Sequence, residues 1–297
     1  MTSQAIETAR QAPGVLVSEG PQEKSAVRRT WWLYALLLLG LVAVAGPFLW
    51  MVLSSFKSQS ELVRVPPTWL PETWTLDNYR RLFTSLNFPR YFWNSLFVAG
   101  SVVLANVVFC SMVGYALAKL KFSGKRLIML LVLATMMVPG SVTVIPLFVL
   151  MSKLGLVNTY WAVILPFAVG PFGVFLMRQF MLAIPDDLLE AARVDGAGEF
   201  KIFWKIVVPL SVPGMAALAI IVFLGSWNNF LWPLIVLTDE HMYTLPVALG
   251  TFAIGQHQAD YGLLMAGAVA LVLPIIVTFL LLQRQFTESV AHTGLKG

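Results

Sequence analysis

The residues best suited to chemistry in this chain lie between Glu190 and Pro209, in the sequence EAARVDGAGEFKIFWKIVVP. They mix acidic, basic, small and aromatic side chains, without a Ser-His-Asp or Cys-His arrangement for nucleophilic catalysis. What such a mixture can do is bind a complementary surface. The segment lies between two long apolar stretches of a chain that is 58% hydrophobic and only 12% charged. A polar loop in this setting indicates a docking site for a partner protein.

A second polar group lies inside an apolar stretch, where Asn228 and Asn229 are flanked by Trp227 and Trp232. Amides offer hydrogen bonds to hydroxyl groups, and indole faces pack against C–H surfaces, so these four residues are candidates for contact with a sugar-like solute. The alternative is hydrogen bonding between helices, which contributes about 0.6 to 2 kcal/mol per contact. The sequence leaves both interpretations open.

Several kinds of chemistry are absent from the sequence. There is no P-loop for ATP, and the segment Gly196-Ala197-Gly198 lacks the third glycine of a dinucleotide fingerprint. The three histidines lack metal-ligand spacing. We therefore expect no catalytic residue, no metal site and no cofactor in this chain, and we predict that it is not an enzyme.

The elements that position these residues are membrane helices. Six stretches contain no Asp, Glu, Lys, Arg or His, and each is close to the roughly 20 residues needed to cross a bilayer. In lipid they must be helical, because their backbone groups have no other partners. The sequence predicts an all-α membrane protein with six spans: Trp31 to Leu53, Ser95 to Leu117, Leu127 to Leu150, Thr159 to Met177, Val212 to Leu237 and Tyr261 to Leu282.

The basic residues predict how the spans are oriented. The two terminal segments and the loops after the second and fourth spans together hold 14 of the 20 lysines and arginines. Because basic residues accumulate on cytoplasmic loops, both termini and the loop of Glu190 are predicted to be cytoplasmic. Membrane topology alone accounts for the basic net charge, so no nucleic-acid partner is expected.

The domain organisation follows from the same pattern. Residues 1–30 are polar and aperiodic, which predicts a disordered cytoplasmic segment. Residues 31–282 form the membrane domain, with a cytoplasmic loop at 181–211, and residues 283–297 form a cytoplasmic tail. Proline and glycine in the third and fourth spans predict kinks, which suit a protein that opens and closes but are also common in membrane helices.

Two short helices are predicted in the loop. Pro185 suits the start of the first, and Asp186 and Asp187 favour the positive end of its dipole. Leu188, Leu189 and Ala192 are expected to share a face, and Gly196 to end the helix in a left-handed conformation. The second helix is expected to place a stripe of apolar side chains, Phe200, Phe203, Trp204 and Val207, against the membrane. The alternative is a hairpin that only anchors the bundle.

These residues resemble a known motif. Glu190-Ala191-Ala192, Asp195-Gly196-Ala197, Ile206 and Pro209-Leu210 are similar to the EAA loop of bacterial ATP-binding-cassette (ABC) importer permeases of type I. The resemblance implies that a short coupling helix docks on a separate ATPase, which binds ATP and magnesium. The residues of this chain that contact the ATPase would be Glu190, Ala191, Ala192, Asp195, Gly196 and Ala197.

Two other stretches resemble the carbohydrate-uptake branch of that family. Trp227-Asn228-Asn229-Phe230 with Pro233-Leu234 is similar to its W-N-x-F…P-L segment. Residues Thr293 to Gly297 are similar to the C-terminal sequence of the second, six-span permease of maltose-type importers. The resemblance implies ATPase contacts at Gly294, Lys296 and Gly297. It also implies a companion permease, two ATPase subunits and an external solute-binding protein at a bacterial cell membrane.

Other cargoes and mechanisms remain as alternatives. The same importer class could carry a polyol or a glycerol phosphate, although a phosphorylated cargo favours arginine in its path and the spans contain none. A secondary transporter usually keeps an ionisable group within the membrane, and these spans keep none. The energy for transport is therefore expected from another chain.

Overall fold

The part of the chain that the structure describes is helical. The computed structural model describes residues 31–253 and 260–294, and every regular element within these ranges is a helix. The predicted all-α class is confirmed for this part. The predictions made for residues 1–30, Lys296 and Gly297 concern positions outside these ranges.

The helices are numbered here in chain order. They are α1 Trp31–Ser55, α2 Gln59–Leu62, α3 Asp77–Thr84, α4 Phe88–Lys119, α5 Lys125–Met136, α6 Gly140–Lys153, α7 Tyr160–Ile164, α8 Pro171–Leu182, α9 Asp186–Val194, α10 Glu199–Leu210, α11 Val212–Trp227, α12 Leu231–Val236, α13 Leu245–Ala253 and α14 Tyr261–Gly294. The chain divides into two compact units, residues 1–50 and 51–297. Of the first unit the structure describes the apolar residues 31–50 of α1, and all further packing concerns the second.

Three described helices are long and apolar enough to cross a membrane: α1, α4 and the first part of α14. Three helix pairs also qualify, but each is bent at a short break, by 104° between α5 and α6, 42° between α7 and α8, and 76° between α10 and α11. By length and composition, the described residues therefore contain three candidate spans, or up to six if each bent pair is one span.

The breaks fall where proline and glycine were expected to kink the helices. α6 begins at Gly140, directly after Pro139, and α8 begins at Pro171, directly after Gly170. The segment predicted as a single fifth span differs from the prediction. Its helix ends at Trp227, residues 228–230 are not helical, and α12 follows.

Helix α4 is the centre of the larger unit, and α8 and α11 pack along it. At Gly114 a Cβ atom would lie 2.9 Å from both the Met177 Cβ and the Arg178 backbone nitrogen, so glycine permits the close approach of α4 and α8. The largest buried cluster joins α4, α8, α9, α10 and α11, and its members include Cys110, Tyr115, Met177, Leu189, Phe203 and Leu218.

Near the start of α4, the segments that connect the long helices pack against the bundle. The short helix α3 lies in the first long connection, and its Leu82 packs with Leu245 of α13 and Leu263 of α14. Arg81 of α3 forms an ion pair with Asp260, just before α14. These contacts tie the first long connection to the last helix.

Candidate docking surface and solute cavity

Helix α9 carries the Glu-Ala-Ala triplet, and its start forms as predicted. Pro185 precedes the helix, and Asp186 and Asp187 occupy its first turn. Lys119, at the end of α4, donates hydrogen bonds to Asp186 Oδ1 at 2.7 Å and to the Ile184 carbonyl at 2.5 Å. The Lys119 side chain is only 4% exposed. This hydrogen bond and the lysine charge hold the pKa of Asp186 below its ordinary value.

The end of α9 also forms as predicted, because Gly196 adopts a left-handed conformation with φ of +78°. The Ala197 N–H donates to the Ala192 carbonyl at 2.9 Å, and the Gly196 N–H to the Arg193 carbonyl at 3.0 Å. This is the double closure of a Schellman motif. Ala192 and Ala197 both pack against the central cluster. The last alanine of the triplet and the glycine thus terminate the helix.

A second connection links the end of α9 to α4. The Tyr115 hydroxyl donates to Glu199 Oε2 at 2.5 Å, and Arg193 Nε donates to Glu199 Oε1 at 2.7 Å. Tyr115 is buried, whereas the Arg193 and Glu199 side chains are 36% and 44% exposed. Glu199 therefore joins the last turn of α9 to the interior of the bundle.

The outer side of α9 is a continuous surface. Asp187, Glu190, Ala191, Val194 and Asp195 are all exposed, and their spacing places them on one side of the helix. We call these five residues the docking face. The opposite side is held by Leu189, which is 1% exposed, whereas Leu188 is 48% exposed. The prediction that Leu188 and Leu189 share a face was therefore wrong, because adjacent helical residues point about 100° apart.

The apolar stripe predicted for α10 is divided in the structure. Phe203 and Val207 are buried, but Phe200 is 70% and Trp204 is 40% exposed. A π-helical turn at Phe203–Val207 changes the register at which side chains meet the bundle. Phe200 and Trp204 instead contact each other, with ring centroids 6.2 Å apart.

The two tryptophans proposed for solute contact lie in the packed interior. Trp227 is 1% exposed, and its Nε1 donates to the Leu271 carbonyl at 3.0 Å. Trp232 is 4% exposed, and its Nε1 donates to the Ala162 carbonyl at 2.9 Å. In this conformation both indoles support the packing of α11 and α12 and present little surface to a solute.

The two asparagines lie at the break between α11 and α12. Asn228 is exposed, and its Nδ2 donates to the Leu224 carbonyl at 2.9 Å, which closes the last turn of α11. Asn229 Oδ1 accepts a hydrogen bond from the Trp232 backbone N–H at 3.4 Å, near the start of α12. Each amide uses one of its two polar atoms in this way, and the other has no protein partner among the described residues.

Asn229 lines a cavity of about 600 Å³ between α4, the breaks of the two bent pairs α5–α6 and α7–α8, and α11. Its other polar side chains are Asn106, Thr135, Thr143 and Ser226, and the rest of the wall is apolar. The described wall contains no charged residue. A cavity lined by amides and hydroxyls can donate and accept hydrogen bonds with a neutral polar solute.

Asn106 is a residue of this cavity that sequence reasoning missed. Its Nδ2 donates to the Phe167 carbonyl at 2.5 Å, and its Oδ1 accepts the Gly170 N–H at 3.2 Å. These are backbone groups freed by the break between α7 and α8. The available signal was an asparagine isolated in the apolar segment of α4.

Of the predicted C-terminal ATPase contacts Gly294, Lys296 and Gly297, only Gly294 is among the described residues. Gly294 is the last residue of α14, so the segment predicted as a tail from residue 283 continues helix α14 to that point. Within the described ranges, no group of three or more His, Cys, Asp and Glu residues could hold a metal ion.

Residues 110–292 match the family described as binding-protein-dependent transport system inner membrane component, and the chain belongs to that family. It is 44% identical to the arabinooligosaccharides transport system permease protein AraQ of Halalkalibacterium halodurans, over 88% of this chain and 96% of the relative. It is 37% identical to the diacetylchitobiose uptake system permease protein NgcG of Streptomyces coelicolor, covering 87% and 86% of the two chains.

A more distant relative and a solved structure complete the comparison. The sn-glycerol-3-phosphate transport system permease protein UgpE of Brucella abortus is 30% identical over 88% of this chain and 95% of its own. A bacterial ABC transporter that imports the acidic polysaccharide alginate has a chain with the same fold, with a TM-score of 0.78 at 24% identity, over 87% of this chain and 97% of that chain. The protein is thus a multi-pass inner-membrane permease of an ABC importer, a transporter component rather than an enzyme.

Proposed function

We propose that this permease carries a sugar or an oligosaccharide, and that its path passes through the cavity beside Asn106 and Asn229. The names of the AraQ and NgcG relatives, which refer to arabinooligosaccharides and diacetylchitobiose, support this cargo. The uncharged polar wall of the cavity supports it as well, because sugar hydroxyls both donate and accept hydrogen bonds. Asn228 is a further contact, and Trp227 and Trp232 hold the two asparagines in position.

The proposed membrane domain, residues 31–282, has six spans, with each bent pair crossing once. Both termini and the loop at 181–211 face the cytoplasm, as the distribution of basic residues favours. Residues 1–30 are then a cytoplasmic segment, and residues 283–297 a cytoplasmic tail. This orientation places the docking face where a soluble ATPase can reach it.

The docking face, together with Ala192, Gly196 and Ala197, is proposed to form the contact with a separate ATPase subunit. The observation that carries this proposal is the connection of both ends of α9 to α4. Lys119 bonds to Asp186 at the start of α9, and Tyr115 bonds to Glu199, which accepts a hydrogen bond from Arg193 in the last turn of α9. A helix exposed on one side and fixed on the other can transmit a displacement from its partner.

The proposed complex contains a companion permease, two ATPase subunits and an external solute-binding protein. ATP and magnesium are bound by the ATPases, which supply the energy that this chain has no residues to capture. Gly294, Lys296 and Gly297 form a second ATPase contact in this proposal. The family's description as binding-protein-dependent supports the external partner.

The docking proposal is tested by reversing one charge. Glu190→Lys is expected to leave the permease in the membrane but to remove most of the co-purifying ATPase, because the exposed carboxylate becomes a cation within the contact. Glu240→Lys, the same charge change on an exposed residue beyond α12, is the matched control and is expected to retain the ATPase. ATPase retention by Glu190→Lys at the level of the control would overturn the proposal.

The orientation can be tested with thiol labelling, because the only cysteine, Cys110, is buried. A membrane-impermeant maleimide is expected to label Gly198→Cys, an exposed position outside the proposed ATPase contact, only in inside-out vesicles, and Glu240→Cys only in intact spheroplasts. The reverse pattern would contradict the proposed topology.

A second candidate cargo is a polyol or a glycerol phosphate, which the UgpE relative favours. The described cavity wall has no lysine or arginine to neutralise a phosphate, so the sugar remains the better fit. Uptake of labelled arabinooligosaccharide in the presence of excess sn-glycerol 3-phosphate separates the two. Strong competition by the phosphate would favour the second cargo.

A further inference from the structure

A separate basic cavity of about 600 Å³ lies beside the start of α5. Its lining combines three basic residues, Lys125, Arg126 and Arg178, with the apolar residues Phe122, Met129, Leu130 and Leu133. None of these residues belongs to the proposed solute cavity or to the docking face. The basic cavity therefore needs an explanation of its own.

Two of its three cations are held in place by the end of α4. Lys125 Nζ donates to the Ala118 and Leu120 carbonyls at 3.1 and 3.0 Å, and Arg178 Nε donates to the Leu117 carbonyl at 3.2 Å. Carbonyls at a helix C-terminus are favourable partners for cations. They do not neutralise the charge, however, and they leave the Arg178 Nη groups for another ligand.

The positive charge of the cavity is not balanced by nearby acids. Within residues 31–253 and 260–294, no salt bridge joins Lys125, Arg126 or Arg178 to a carboxylate. The cavity lining contains no Asp or Glu, and the nearby Asp186 is paired with Lys119. Three cations that share one cavity without an acid favour an anionic ligand.

The apolar residues of the cavity lining indicate what else this ligand contains. Helix α5 has no buried residue, and Leu130 and Leu133 are 60% and 43% exposed. In the proposed topology these side chains face the hydrocarbon region, while the three cations lie at its cytoplasmic boundary. A ligand that fits both the basic and the apolar residues of the lining has an anionic head and an apolar body.

We propose that this cavity binds an anionic phospholipid, with its phosphate on Lys125, Arg126 and Arg178 and its acyl chains along Leu130 and Leu133. Basic pockets between membrane helices on the cytoplasmic side suit such headgroups. The leaflet assignment and the membrane-facing position of α5 both rest on the proposed topology. Because Lys125 and Arg178 also hold the end of α4, the lipid would stabilise the turn that connects α4 to α5.

The test measures lipid directly. The complete transporter is extracted in mild detergent from membranes containing phosphatidylglycerol and phosphatidylethanolamine, and the retained lipids are quantified by mass spectrometry. Phosphatidylglycerol is expected to be enriched over the bulk membrane. Arg126→Gln is expected to reduce that enrichment about fivefold, because the bound phosphate loses one of its three cations. Arg126 makes no hydrogen bond within the described chain, so its replacement leaves the packing intact.

Three comparisons make the result specific. Lys121→Gln removes a neighbouring positive charge that does not line the cavity and is expected to retain the enrichment, as is Arg126→Lys. Leu133→Asn is expected to lower it, because the acyl chains lose an apolar contact. Inorganic phosphate is expected not to displace the lipid, and displacement would indicate a simple phosphate site instead.

Equal retention of both lipids by the unmodified protein, or equal losses in Arg126→Gln and Lys121→Gln, would overturn the proposal. These outcomes are independent of ATPase docking. A failed lipid test with a successful Glu190→Lys test would therefore remove the lipid site and leave the proposed function in place.

Discussion

Tyr115 and Lys119 lie one turn apart on the same side of α4, yet they connect to opposite ends of α9, Lys119 directly and Tyr115 through Glu199 and Arg193. Lys119 reaches Asp186 at the start of α9, and Tyr115 reaches Glu199 just beyond its end. The i, i+4 spacing on one helix thus matches the two ends of another. This arrangement makes α9 an extension of the bundle, so a force applied to α9 reaches α4 at two points.

Removing the tyrosine hydroxyl is expected to weaken coupling without preventing assembly. Tyr115→Phe loses a hydrogen bond to a charged acceptor, which contributes roughly 1.5 to 3 kcal/mol, while the ring keeps its packing on Phe203. Solute imported per ATP hydrolysed, measured in proteoliposomes, should fall while ATPase binding persists. Tyr261→Phe, which changes an exposed tyrosine, should leave the ratio unaltered. An unchanged ratio in Tyr115→Phe would exclude this role for the hydroxyl.

Gly196→Ala is expected to damage the end of α9. A side chain in the left-handed region costs roughly 1 to 2 kcal/mol, and the Schellman closure depends on that conformation. The expected result is less ATPase bound to the purified permease and a lower melting temperature. Gly198→Ala is the matched control, because Gly198 has a φ of −71° and open space around its Cβ position. Similar losses in both variants would mean that the left-handed turn is not the cause.

Asn106→Leu is expected to destabilise the bent pair α7–α8. The substitution leaves the Phe167 carbonyl and the Gly170 N–H without their side-chain partner, at roughly 1 to 3 kcal/mol for each unpaired group. Thermal unfolding in detergent reports this loss. Asn228→Leu, which removes only a bond to a carbonyl within its own helix, should cost less. Equal melting temperatures for the two variants would contradict the proposed role of Asn106.

Asn229→Leu is expected to lower sugar uptake while the transporter still assembles. The change removes an amide from the cavity wall, and the lost bond to the Trp232 N–H is long, at 3.4 Å. Uptake of labelled oligosaccharide at several concentrations, with ATPase co-purification as the assembly measurement, tests this. Normal uptake would place the solute contacts on the companion permease.

Docking of the ATPase should not depend on pH in the neutral range. Lys119 holds the pKa of Asp186 below its ordinary value of 3.8, so the carboxylate contributes stability that is lost only as pH falls through that depressed value. The loss therefore lies below about pH 4. We expect constant ATPase retention between about pH 5 and about pH 8. A steep change within this range would show that docking depends on the titration of another group.

The helical class could be predicted from the sequence because a backbone in lipid has few ways to satisfy its polar groups. Pro139 and Pro171 also indicated where helices break. The bend angles could not be predicted, because they depend on which neighbour satisfies the freed groups. At Gly170 that neighbour is Asn106, which lies 64 residues earlier. The fifth apolar segment illustrates the same limit, since hydrophobicity alone does not show that Asn228 ends its helix.

The candidate site was predictable to the extent that it is local. The left-handed Gly196 and the acidic first turn of α9 follow from residues within one helix. The anchors do not, because Lys119 and Tyr115 lie 67 and 84 residues from their partners. The π-helical turn in α10 has no sequence signature comparable to a proline, so the burial of Phe203 and Val207 within the bundle could not be foreseen.

Helix α4 has one further consequence. It runs unbroken for 32 residues, about 48 Å, in a unit whose other long helices are interrupted or contain an internal proline. Asn94 near its first end bonds to the His241 and Tyr243 carbonyls, Asn106 lies at the cavity, and Lys119 ends it beside α9. A rigid rod with attachments at both tips and at its midpoint moves all three together. We therefore expect a displacement at one end of α4 to reach its other end through a single continuous helix.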